Sequence, residues 1–148
     1  MNRWRPPAAG AVVCLGLLGA ACGGGQGATL SAQVTSWARS TGYAGAIGTI
    51  DQDLRRVDGT GDGSNALKTY CDVLVTDVLM ANQNLPTPDH SLTTLLSTAY
   101  SAAGDAGHDC LDGAGGSAAL LRRSVTERAA ARRDIIKAEA RYDEVTTP

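Results

Sequence analysis

The 148-residue chain carries 13 basic and 15 acidic side chains, a net charge of −2, so it lacks the cationic excess with which proteins hold nucleic acid. It contains no Phe, two Trp and 18 Gly, and its length allows one small domain. Such a domain is far smaller than a two-lobed solute-binding protein.

Residues 1–21 read as a signal peptide. Arg3 and Arg5 supply a positive start, Ala8 to Leu18 an apolar middle, and Gly19-Ala20-Ala21 a small-residue cleavage site. The apolar run is shorter than the ~20 residues that a membrane-spanning helix needs. Cleavage before Cys22 resembles processing of a bacterial lipoprotein, in which that cysteine is lipidated and becomes the new N-terminus. One feature departs from the pattern: the aliphatic residue usual three positions before the cysteine is displaced to Leu18, with Gly19 in its place. Ordinary signal peptidase also cleaves after such a sequence, which makes a plain secreted protein the alternative. Residues 22–28, Gly-rich from Gly23 to Gly27, then form a flexible tether reaching on the order of 15 Å.

The remaining chain, 29–148, has helical periodicity throughout and no convincing strand alternation. Leu30, Val34 and Trp37 form a first apolar stripe. Ile47, Ile50, Leu54 and Val57 form a second, shifted in phase by one residue, which predicts a kink or break near Gly42. Asp58-Gly-Thr-Gly-Asp-Gly63 is a loop, and Asp62 or Ser64 can cap the helix that follows. With Thr60 at its third position and Thr69 at its twelfth, the loop lacks the carboxylates of a calcium site. No metal or other cofactor is expected.

A helical hairpin follows. Leu67, Cys71, Leu74, Val78, Ala81 and Leu85 share one face of its first arm; Leu92, Leu96, Ala99, Ala103, Ala106 and Cys110 share one face of its second. Thr87 suits an N-cap, and Pro88 the first helical position. If the first helix stops near Ala81 and residues 82–88 run extended, both arms reach far enough for Cys71 and Cys110 to meet. Cys14 leaves with the signal and Cys22 takes lipid, so an oxidising compartment leaves a single pairing, Cys71 with Cys110. Two unpaired buried thiols are the alternative.

Ser117 starts a long final helix, for which Ala118, Leu121, Val125, Ala129, Ile136 and Ala140 are the expected inward positions. The chain is therefore expected to be all-α, an up-down bundle of four main helices with one disulfide. From Cys22 to Gly116 the net charge is −6; from Ser117 onward it is +2. Arg122, Arg123, Arg132 and Arg133 are candidate contacts to an anionic surface, against the simpler expectation that they neutralise acidic neighbours inside the bundle.

Catalytic constellations are lacking. His90 and His108 stand too far apart on one helix to share a metal. His108-Asp109-Cys110 has no thiolate if Cys110 is oxidised. Asp51, Asp53, Asp72 and Asp77 show no paired geometry in sequence. The Ala20-Ala21-Cys22 signal end, Trp37-Ala-Arg-Ser-Thr-Gly-Tyr43, Cys71-Asp72-x-Leu-x-x-Asp77, Leu85-Pro-Thr-Pro-Asp89 and Cys110 together resemble small uncharacterised lipoproteins of high-GC Gram-positive bacteria. That resemblance implies an anchor, a bundle and a disulfide, with no activity to carry over. The expected role is thus non-enzymatic: a lipid-anchored module on the extracytoplasmic face of the cell membrane that contacts an envelope protein or wall polymer. The alternative is a carrier of a small apolar ligand between helices.

Overall fold

The computed structural model describes residues 28–61 and 65–147. The signal peptide, Cys22, the tether up to Gly27, and the capping positions Asp62 and Ser64 lie outside them. Five α-helices follow in order: α1 Leu30–Thr41, α2 Tyr43–Asp58, α3 Asn65–Asn82, α4 His90–Gly113 and α5 Ala118–Thr146. The described residues contain no β-strand.

Each boundary has a local cause. Thr29 caps α1, its Oγ1 accepting from the Ala32 amide at 3.3 Å. Gly42, at φ +67°, ends α1 in a left-handed conformation that residues with a Cβ adopt at a cost. The chain re-enters helix one residue later, so the two phase-shifted apolar stripes become two helices rather than one bent one. Leu30 stays substantially exposed, whereas Val34, Ile47, Ile50, Leu54 and Val57 are buried.

The hairpin follows its apolar pattern closely. Leu67, Cys71, Leu74, Val78 and Ala81 of α3, and Leu92, Leu96, Ala99, Ala103, Ala106 and Cys110 of α4, are all buried. Cys71 and Cys110 form a disulfide with their Cα atoms 5.8 Å apart. Helix α3 ends at Asn82, and Leu85 packs against the core from the connection rather than from the helix. There the Trp37 indole donates to the Asn84 carbonyl at 2.9 Å, tying α1 to the hairpin's corner.

The cap of α4 departs from the expectation. Asp89, not Thr87, is the N-cap: its Oδ1 accepts from the Leu92 amide at 2.6 Å. Thr87 instead braces the turn, its Oγ1 donating to the Asp89 carbonyl at 2.6 Å. The exchange has an electrostatic reason, since a carboxylate complements the positive helix start better than a hydroxyl does. It also leaves Asp89 free to engage a second partner on α5.

The final helix also corrects its expected phase. Ser124, Arg128, Ala131, Ile135 and Ala138 are its buried positions. Val125 is 55% exposed and Ile136 64%, and Ala118, Ala129 and Ala140 are exposed as well. Only Leu121 of the expected set packs against the core. Two apolar stripes run along α5, and hydropathy favours the one that faces out. The other packs closely on α4, with which α5 shares the most extensive interface in the domain. Its polar members find partners there: the Ser124 hydroxyl donates to the Ala106 carbonyl at 2.7 Å. Close approach shows again where a Cβ on Gly113 would lie 2.8 Å from the Leu121 backbone nitrogen. On the other side of α4, a Cβ on Gly107 would lie 2.6 Å from Val75 of α3.

Candidate functional site: the basic helix and its acidic partners

The seven cations of α5 divide by what they touch. Arg128 is buried; its Nε donates to Asp58 Oδ1 at 2.7 Å, and its Nη1 to Ser124 Oγ at 2.6 Å. Arg132 reaches the other oxygen of the same carboxylate at 2.6 Å. Burial raises the Asp58 carboxyl, but the two guanidinium groups outweigh it and hold Asp58 below the usual carboxylate range. One acid at the end of α2 thus receives two arginines from α5.

Arg141 repeats the arrangement near the other end of α5. It grips both oxygens of Asp89, at 3.1 and 2.8 Å, and also bonds Glu144 at 2.8 Å. The Arg141 hydrogen bonds and the Leu92 amide together hold Asp89 low despite its burial. This one carboxylate therefore both caps α4 and ties it to α5. A third link joins Arg123 to Asp109 of α4 through two contacts, with Glu127 3.5 Å away. Lys137 pairs within its own helix, with Asp134 at 2.6 Å.

The four arginines singled out in the sequence therefore do not form one patch. Arg123 and Arg132 are engaged with Asp109 and Asp58. Arg122 and Arg133 are exposed and make no ion pair among the described residues. Arg122 borders a groove of about 270 Å³ where α5 begins, with Val57, Asp58, Leu67, Leu121, Val125 and Arg128 around it. No described group of three or more His, Cys, Asp or Glu side chains could hold a metal ion. His90 and His108 are both exposed on α4. Cys110 is oxidised, so it offers no thiolate beside them.

A pairing that the sequence does not disclose joins α2 to α3. Asp53 is 1% exposed and faces Asp77. Its Oδ1 accepts from Arg56 at 3.1 Å, while Oδ2 is buried without a hydrogen-bond partner. Burial, reinforced by the neighbouring Asp77 carboxyl, lifts Asp53 to about 6, against the Arg56 charge. The only signal in the sequence is that Asp53 follows Ile50 by three residues, on the edge of the buried stripe of α2.

This pair predicts a pH dependence of defined sign. A carboxyl raised in the folded state favours folding while it is protonated, so its contribution is lost as pH rises through about 6. The carboxylates of Asp58, Asp89 and Asp109 are all held low, and their contributions are lost only under more acidic conditions, below their ordinary range. Between roughly pH 4.5 and 7.5, the wild type should therefore lose on the order of 2 kcal/mol. Asp53→Asn should flatten the profile and be the more stable form at pH 7.5, as read by urea denaturation. A variant whose stability falls in parallel with wild type would remove Asp53 from the explanation.

The chain matches no protein-family model, no curated protein and no solved structure.

Proposed function

We propose that this protein is a lipid-anchored, extracytoplasmic helical module that works by contact rather than by catalysis, of the kind found among small lipoproteins of high-GC Gram-positive bacteria. The observation that carries this is the order of parts around Cys22. A positive start, an apolar run and a small-residue cleavage site lead to that cysteine, and Thr29 caps the first helix seven residues after it. Nothing but a short Gly-rich tether then separates lipid from domain. Taken with α1 and α2 as one broken corner, the helix neighbours close a ring, from α2 to α3, α3 to α4, α4 to α5, and α5 back to α1 and α2. That ring supports an up-down bundle of four corners. Of the buried charged residues, Asp89, Asp109 and Arg128 are each engaged in a link that pins those corners, which supports a scaffold that presents surfaces rather than a reaction centre. The described helices include none long and apolar enough to cross a membrane, so a lipid on Cys22 is the attachment proposed. A carrier of a small apolar ligand would draw on the groove beside Leu121 and Val125, at about 270 Å³ just under the size common for ligand pockets.

Metabolic labelling with a fatty-acid analogue tests the anchor. Wild type should take up label and sediment with membranes, while Cys22→Ser should do neither. Equal labelling of the two proteins would leave Cys22 as an ordinary residue after a cleavage site.

A further inference from the structure

We propose that the groove where α5 begins binds a small amphipathic carboxylate, its aliphatic chain on the apolar wall and its carboxylate between Arg122 and Arg128. The groove holds about 270 Å³. Val57, Leu67, Leu121, Val125 and the oxidised Cys110 give it an apolar side. Asp58, Arg122 and Arg128 give it a charged one. A space just under the size common for ligand pockets suits a short chain rather than a large ring system.

The charged side holds more cation than acid. Arg128 is 6% exposed, and two of its three guanidinium nitrogens are committed, Nε to Asp58 and Nη1 to Ser124. The third, Nη2, makes no hydrogen bond among the described residues. A nearly buried guanidinium with a donor to spare, in the wall of a groove, lacks an acceptor. Arg122 is exposed at the same groove and pairs with no described acid. Asp58 is the one acid among the lining residues, and Arg128 and Arg132 take its two oxygens.

Neighbouring acids do not offset this surplus. Glu127 and Asp134 stand roughly 120–180° round α5 from Leu121 and Val125, and pair with Arg123 and Lys137. Asp112 is roughly 160° round α4 from Cys110, and Asp72 roughly 140° round α3 from Leu67. Asp53, one turn before Val57, is buried against Asp77 and Arg56. Even with Asp62, which lies outside the described residues, there are two acids to three arginines. Ala118, another lining residue, begins α5, so the positive end of the helix dipole adds to the attraction. Charge therefore selects an anion over an amine or a neutral alcohol, and the apolar wall selects one that carries a chain. The inference rests on the carrier reading of this groove and is independent of the anchor.

The mature chain from residue 22, as Cys22→Ser, is titrated with octanoate while its amide resonances are followed. Octanoate should shift the amides of Val57, Thr60, Leu121 and Arg122 and saturate, less tightly at high salt. Arg122→Glu should weaken it about tenfold. Arg133→Glu, the same charge change at an exposed arginine outside the groove, should leave it within about twofold. Equal losses in the two variants would assign the effect to overall charge and overturn the site. Octanol or octylammonium binding as tightly as octanoate would overturn the carboxylate and leave an apolar carrier. Acetate binding as tightly would overturn the role of the apolar wall. Saturation by none of these compounds would overturn the inference and the carrier reading together.

Discussion

Replacing Cys71 and Cys110 together by alanine should lower the stability of the domain by about 4 kcal/mol, the loop-closure contribution of a cross-link spanning 39 residues. Both cysteines are fully buried, and they join α3 to α4 at the end of the hairpin away from its corner. Without the bond, Trp37 and Asn84 still tie the corner to α1. The Asp109–Arg123 link still holds α4 to α5 beside Cys110. The variant should therefore keep its helical circular dichroism and unfold at a temperature lower by roughly 15 °C. Reduction of the wild type should shift the transition in the same direction. A reduced protein that melts within a degree or two of the oxidised one would show that apolar packing alone sets the hairpin.

The second large effect concerns Arg128 and Asp58, and its sign pattern matters more than its size. The Arg128 side chain is 8% exposed and that of Asp58 38%, so the two ends of the pair stand in different environments. Removing the acid leaves a guanidinium charge inside the bundle; removing the arginine leaves a carboxylate that water and Arg132 can still reach. Asp58→Asn should accordingly cost about 3 kcal/mol, more than Arg128→Met, whose side chain also refills the space of the arginine stem. The double variant should be more stable than Asp58→Asn alone, because it leaves no buried charge without a partner. Urea denaturation of the four proteins measures the cycle. Equal costs for the two single variants, with simple addition in the double, would mean that the pair is solvated and that Arg128 contributes only its hydrocarbon stem.

The amino-acid sequence by itself determined the helical class, the break at Gly42 and the hairpin with its pinned arms. In α2 and α4 the large apolar residues recur on one stripe, and in α3 one stripe is longer and more regular than the rest, with Leu79 and Met80 left outside it, so periodicity discloses what is buried. The cysteines lie on those same stripes, which leaves their meeting to arm lengths. Tertiary structure alone decided the orientation of α5. That helix carries two stripes, and the more hydropathic one, with Val125 and Ile136, is the one left outside. The inward stripe prevails through contacts that no local pattern contains: Arg128 meets an acid 70 positions earlier in the chain, Arg141 one 52 positions earlier, and Ser124 a carbonyl of α4. The partnership of Asp53 and Asp77 is of the same kind, since each acid on its own helix resembles an ordinary solvated carboxylate. Their cost and their pH dependence arise only when α2 and α3 close over them. Periodicity reports which residues avoid water; which charges meet once water is excluded is a property of the assembled helices.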